Sequence, residues 1–423
     1  MLSRDTARAR NSDVHMTFHE AGSAVRSRWR RVLLALYLVS TAVVSIEKGF
    51  GRPDNNFAIF RASFQNLMAG RDLYAPHPEQ YLDLFKYSPS FALLFAPFAA
   101  LALPLSILAW SALNAFLLWY AVTRLLPGER GTLALTLIYL EVLRSMQRAQ
   151  SNGLVTALVI LAFLAFERRR QAGAALAIGV GTVIKIFPLA ALAMALLHRR
   201  RLRFALLFGA TMLALVALPL LVVSPHDLVA QYGSWGGVEA ADALAAGGRA
   251  SLGGGALYGG VMEQFRIWFG VSWSNQTVQL VGTGLLLLPV AVRWNQRNSF
   301  DFRLRFLCSL LVFMVIFNHQ SESPSFVIAV TGIAIWYVWF PRTGWRTALM
   351  TLTILVVSVS STDITPPWLR HTVFEPYKLK TVPCMLAWVV LQWELMVRGP
   401  HGSGEHSEMH ELDVAAREAR AHG

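Results

Sequence analysis

The sequence predicts an all-α, polytopic transmembrane protein, and three observations carry that prediction. Of its 423 residues 55% are hydrophobic and only 15% are charged, where soluble domains run near a quarter charged. The apolar residues come in long uninterrupted blocks, as at residues 32–46, 204–223 and 278–292, and about twenty such residues carry a helix across hydrocarbon. Short arginine clusters sit between those blocks: Arg26, Arg28, Arg30 and Arg31; Arg168, Arg169 and Arg170; Arg199, Arg200, Arg201 and Arg203; Arg293, Arg297, Arg303 and Arg305. Such clusters mark cytoplasmic loops. They also account for the formal charge of +13 without nucleic acid, because no basic face interleaved with aromatics occurs.

In chain order, residues 1–31 form a polar cytoplasmic tail, residues 32–398 the transmembrane domain and residues 399–423 a second polar cytoplasmic tail. The first apolar block follows some thirty polar residues and lacks a small-residue cleavage site, so it reads as a retained span. It leads out to an external loop, residues 47–88. There Phe57, Phe60, Phe64 and Leu67 recur at helical spacing, which predicts a helix in the membrane interface, capped by Asn55 or Asn56 and closed by Gly70.

Residues 89–103 and 105–124 predict two short spans. Residues 132–150 carry Glu141, Arg144, Arg148 and Gln150 and are weakly apolar. They predict a re-entrant segment that returns to the outer side, because a full crossing there would put Arg168, Arg169 and Arg170 outside. Residues 153–167 then go in, and a hairpin turns outside at Lys185-Ile186-Phe187-Pro188. Residues 204–223 go out to a glycine-rich external loop at 224–275. Spans near 276–294, 305–318, 324–340, 345–361 and 381–397, with a last external loop at 362–380, bring the total to roughly twelve crossings. Cys308 and Cys384 fall inside apolar blocks and match no metal spacing, and no internal repeat is evident. His401, His406 and His410 lie among acidic residues in a tail expected to be solvated.

Ionisable groups beside spans are costly and mark function, and here they gather on the outer side. Asp54, Arg61, Asp72, Glu79, Asp83 and Lys86 lie in the first external loop. Arg144, Arg148, Gln150 and Asn152 end the re-entrant segment, Lys185 turns its hairpin, and His319 and Glu322 open a later turn. Cations with carboxylates in one cavity suit an anionic headgroup and a proton acceptor. Plainer readings stand beside this one. Asp54 suits a helix cap, Arg144 and Arg148 a helix ion-pair cluster, Lys185 a snorkelling side chain, and His319 with Glu322 a bonded turn. Trp235, Trp268 and Trp273 suit an interface belt as well as sugar stacking.

Asn55-Asn56-Phe57, Gly70-Arg71-Asp72-Leu73-Tyr74 and Lys86-Tyr87-Ser88-Pro89, followed by Gln150-Ser151-Asn152-Gly153 and Lys185-Ile186-Phe187-Pro188, resemble glycosyltransferase family 87. A looser likeness runs through Asn318-His319-Gln320-Ser321-Glu322-Ser323-Pro324. The resemblance implies the C-type membrane architecture and a bacterial inner (plasma) membrane enzyme with its active site outside. It implies inverting transfer of a sugar, mannose first, from a polyprenyl-phosphate donor to the hydroxyl of a glycan or glycolipid acceptor. No cofactor beyond that donor and no bound metal are expected. In the family an acidic residue of the first external loop acts as general base. The matching position here is Asn56, and an asparagine cannot accept the proton, so the role is expected of Asp54, with Asp83 and Glu322 in reserve. Arg144, Arg148 and Lys185 are expected on the donor phosphate, Gln150, Asn152 and His319 on the sugar, and Asn56, Arg61, Lys86 and Tyr87 elsewhere in the substrate site. A transporter or flippase of a lipid-linked or anionic substrate, and a family member that binds lipid-linked sugar without turnover, are the alternatives.

Overall fold

The structure, a computed structural model, describes residues 28–51, 53–244 and 259–399. Most of both polar tails, the three tail histidines and the glycine-rich stretch at 245–258 lie outside the described residues. Within them the fold is all-α.

Helix α1 (Arg28–Phe50) is followed by α2 (Asn55–Met68), α3 (Pro89–Leu94) and α4 (Ala96–Ala99). Then come α5 (Leu103–Leu125), α6 (Glu129–Gln147), α7 (Asn152–Glu167), α8 (Gln171–Ile184) and a 3₁₀ segment at Phe187–Leu197. Helix α9 (Arg201–Ala217) continues through Leu218–Leu221 and is followed by α10 (Pro225–Leu244), α11 (Val261–Phe269), α12 (Asn275–Val292), α13 (Phe300–Ile316) and α14 (Phe326–Trp339). Helix α15 (Gly344–Thr353) runs on through Ile354–Val359, and α16 (Pro367–Leu369) and α17 (Thr381–Val397) complete the chain. Four helices, α1, α5, α9 with its extension, and α12, are long and apolar enough to cross a membrane on length and composition, and shorter apolar helices pack among them.

Helices α13 and α14 are almost wholly buried, α14 apolar all round and α13 apolar beyond its charged first turns, so they form the centre of the bundle. Their backbones approach closely at Gly332, where an added Cβ would lie 2.8 Å from the carbonyl oxygen of Cys308. The cysteines Cys308 and Cys384 are free and buried.

Polar contacts define two ends. At one, Glu167 at the end of α7 receives Arg303 of α13 through two bonds of 2.6 Å, and Arg201 of α9 stacks on Trp294 after α12 at 4.5 Å. The same end holds a buried charge cluster. Glu394 of α17 is fully buried and accepts from Arg346 and, at 3.0 Å, from Trp336 Nε1, with Arg305 Nε 3.4 Å away. At the other end meet the start of α2, the α6–α7 and α13–α14 turns, and Lys185 after α8.

Two expected spans are corrected. Residues 89–103 do not cross, because Pro89 and Pro97 each open a new short helix and α3 and α4 pack against α2. Residues 132–150 are not re-entrant, since α6 is one unbroken helix of 19 residues. Its polar groups point into the bundle instead. Glu141, fully buried, meets Arg144 at 2.7 Å and Lys380 at 3.4 Å, and Arg144 donates to the Ser358 carbonyl at 3.1 Å. Helix α2 forms as expected, but its cap is Asp54 rather than Asn55 or Asn56.

Glu394→Gln should leave two buried arginines without a counter-charge. A loss of about 3–5 kcal/mol is expected, read by equilibrium denaturation in detergent micelles; a loss under about 1 kcal/mol would mean that water reaches the cluster.

Candidate active site

A cavity of about 540 Å³ opens at the end opposite Glu394, between α2, the 3₁₀ segment, α10, α12 and the α13–α14 turn. Its floor is a network centred on a buried amine. Helix α8 stops at Ile184, and Lys185 turns extended, so its side chain leaves the helix axis and enters the bundle. Lys185 Nζ donates to Gln150 Oε1 at 3.0 Å and to Asn152 Oδ1 at 2.9 Å. Gln150 Nε2 donates to Glu322 Oε2 at 3.0 Å. The rings of Tyr87 and Phe187 lie 5.9 and 5.8 Å from the ammonium. Gln150 and Asn152 are presented by a tight α6–α7 turn in which Ala149 takes φ +47° and its carbonyl accepts from Trp110 at 2.9 Å.

Burial lowers the Lys185 ammonium to about 8, with Glu322 acting against that shift, and burial raises the Glu322 carboxyl. Gln150 bridges the two groups, and each charge partly offsets the cost of burying the other.

A second group hangs over the cavity from α10. Asp242 accepts from Lys86 Nζ at 2.9 Å and from Gln320 Nε2 at 2.6 Å, and Trp235 Nε1 donates to the Lys86 carbonyl at 3.4 Å. Glu239, one turn before Asp242, lines the cavity, and burial raises it to about 7. His319 also lines it. The Gln279 amide lies 3.1 Å from His319 Nδ1, and His319 Nε2 is buried without a hydrogen-bond partner. Burial lowers the His319 imidazole, so it is neutral, and an Nδ1 that accepts from the amide leaves Nε2 as a donor.

The expected site residues divide. Asn56, Asp83, Lys86, Tyr87, Gln150, Lys185, His319 and Glu322 line the cavity, and Asn152 holds Lys185 from below. His319 and Glu322 are bound to Gln279 and Gln150 rather than to each other. Arg61 donates to the Ala99 carbonyl at 3.4 Å, and Arg144 serves the Glu141 pair, so neither lines the cavity. Arg148 is two-thirds exposed and sits 3.8 Å from Asp54. The Asp54 carboxylate caps α2, accepting from the Asn56 amide at 3.0 Å and from Asn56 Nδ2 at 3.1 Å, and it does not line the cavity. Asp83 does, and its Oδ1 accepts from the adjacent Leu84 amide at 2.8 Å.

Sequence reasoning missed Glu239, Asp242 and Gln279. The signal present was the spacing of three between the two acids in an alanine-rich segment, which puts both on one helix face.

Asp242 ties α10 to the rest of the cavity through Lys86 and Gln320. Asp242→Asn should weaken that tie by about 1.5–3 kcal/mol, the range for a bond to a charged group. Hydrogen exchange should rise across residues 225–244 and stay unchanged in α13. Equal protection in both proteins would show that α10 is held by its apolar contacts.

The crystal structure of ArnT from Cupriavidus metallidurans bound to undecaprenyl phosphate aligns with 88% of this chain and 78% of its own, at 12% identity and a TM-score of 0.36. No curated protein shows a significant sequence match. The family model for glycosyltransferase family 87 matches residues 85–317, more than half of the chain and most of the cavity lining. The chain belongs to glycosyltransferase family 87, and it is a multi-pass membrane glycosyltransferase.

Proposed function

We propose that this glycosyltransferase takes a sugar, mannose first, from a polyprenyl-phosphate donor and passes it, with inversion, to a glycan or glycolipid hydroxyl on the outer face of the inner (plasma) membrane. The observation that carries the reading is the two-sided character of the cavity. Its floor is the charged network of Lys185, Gln150 and Glu322, while Phe187, Leu189, Phe313, Met314 and Phe317 make an apolar wall beside it. Leu189 in that wall is 40% exposed, so the apolar side of the cavity is open. A ligand with a charged head and a hydrocarbon tail fits both sides.

The chemistry is one displacement. The acceptor oxygen attacks the anomeric carbon as the bond from that carbon to the phosphate oxygen breaks; the proton goes to a carboxylate and the lipid phosphate leaves. Two of the three Lys185 donors are engaged, and the third is available to the departing phosphate. His319 Nε2–H supplies a donor for a sugar oxygen.

For the base we favour Asp83. Asp54 is engaged as a helix cap, and burial pushes Glu322 and Glu239 toward the protonated form, whereas Asp83 lines the cavity with a backbone amide as its hydrogen-bond donor. The polar groups cluster at one end of the bundle rather than at its middle, which does not suit a transport path.

Two outcomes test this. Asp83→Asn should lower turnover with polyprenyl-phosphate mannose by about 10²–10⁴-fold. Asp54→Asn keeps an equally good helix cap and should stay near normal. If Asp54→Asn were dead and Asp83→Asn active, the base would be Asp54; if the parent were inert with every donor and acceptor, the family member would bind without turnover.

The second outcome concerns pH. Lys185 loses its proton through about pH 8, so the charged form that grips phosphate is present below that pH and lost above it. Donor KM should climb as pH passes 8, and Lys185→Arg, charged throughout, should flatten the rise. Lys185→Met should weaken donor binding by roughly 1.5–3 kcal/mol; unchanged affinity in a folded Lys185→Met protein would demote the lysine to a structural role.

A further inference from the structure

The end of the bundle that carries the arginine-rich turns has a cavity of its own, of about 530 Å³, remote from the one described above. It lies between the α7–α8 turn, the end of the 3₁₀ segment with the start of α9, and the start of α13. Arg169, Arg199, Arg200 and Arg303 line it against a single carboxylate, Glu167. That carboxylate is neutralised through its two 2.6 Å bonds from Arg303. His198 stacks flat on Phe166, with ring centroids 4.9 Å apart, and burial lowers its imidazole to about 4, so it adds no charge. Three exposed guanidinium groups are therefore left facing the space.

Two further observations point to a ligand rather than to a merely topogenic cluster. Helices α8 and α9 both begin at this cavity, and neither first turn has a side-chain cap, so their free amides add positive potential. Gln171, the first residue of α8, is more than nine-tenths buried and lines the cavity, and its Oε1 has no hydrogen-bond partner. A buried acceptor left unmet calls for a donor hydrogen. The rim is continuous with lipid-facing residues: Leu202 and Leu206 on the first turns of α9 are 76% and 68% exposed.

We propose that this cavity is a second, non-transferring site for a phosphate ester whose alcohol carries a hydroxyl or ammonium hydrogen, with the arginines on the phosphate and Gln171 Oε1 on that hydrogen. Glycerol- and ethanolamine-phosphate headgroups have this chemistry. Basic pockets between membrane helices are suited to it, since the phosphate is held where the tail can stay in hydrocarbon.

The test uses the full chain in detergent and reads retained lipid by native mass spectrometry and the thermal midpoint on titration. The probes are phosphatidylglycerol, phosphatidylcholine and glycerol phosphate. Phosphatidylglycerol should bind saturably and in preference to phosphatidylcholine. The double variant Arg199→Gln with Arg200→Gln should weaken it roughly twenty-five-fold, each arginine contributing about a factor of five. Arg30→Gln with Arg342→Gln removes the same charge from exposed positions on α1 and after α14, and should change affinity less than about twofold, the exposed-charge background. Glycerol phosphate binding as tightly as the lipid, with the same sensitivity to Arg199 and Arg200, would keep the site and assign it a soluble ligand. Equal loss in both double variants, or no saturable binding of either probe, would overturn the proposal.

Discussion

A buried ammonium inside an apolar bundle is the constraint on which the cavity depends. Lys185 stays in place because Gln150 and Asn152 meet it and because Glu322 lies one hydrogen bond further on. An unpartnered charge at that depth would cost several kcal/mol. Those partners come from separate turns, so α6, α7, α8 and the α13–α14 turn must be in register for the lysine to be satisfied at all. The same arrangement engages two of the three Lys185 donors and leaves the third to the cavity that the lysine lines.

The opposite end solves a similar problem with the signs reversed. There one carboxylate, Glu394, is shared among Arg346, Arg305 and Arg398, and guanidinium groups stack on Trp336 and Phe340. Between the two polar ends α13 and α14 present apolar surface in every direction. Side chains there have little to choose between except shape, and the close contact at Gly332 fixes how the two helices meet.

Much of this was legible in the sequence because hydrocarbon imposes a coarse code. Long apolar blocks gave α1, α5, α9, α12 and the later helices. The code failed where polarity was answered by a distant partner. Glu141 and Arg144 made α6 look unfit to cross, and their partners Lys380 and Ser358 lie more than two hundred residues away. It failed again at residues 89–103, where apolar composition outweighed the two prolines. Lys185, Gln150 and Glu322 were legible as a group because ionisable residues beside spans are rare. Asp242 and Glu239 were not, because their spacing suggests a helix face but nothing in their loop says that the helix lies over the cavity. Asp54 shows the limit of position: its place beside the family's catalytic slot did not say that its carboxylate caps α2 and lies outside the cavity lining.

The flank beside the cavity is built from short elements. Helix α8 has 14 residues and the 3₁₀ segment 11, which gives about 21 Å at 1.5 Å per residue and about 22 Å at 2.0 Å per residue. The hydrocarbon of an ordinary bilayer is about 30 Å thick. Leu176 and Leu196 on this flank, outside the cavity lining, are nonetheless exposed, which suits contact with lipid. The resulting hydrophobic mismatch is relieved by drawing the two leaflets together. Acyl chains therefore shorten and headgroups sink beside the cavity mouth.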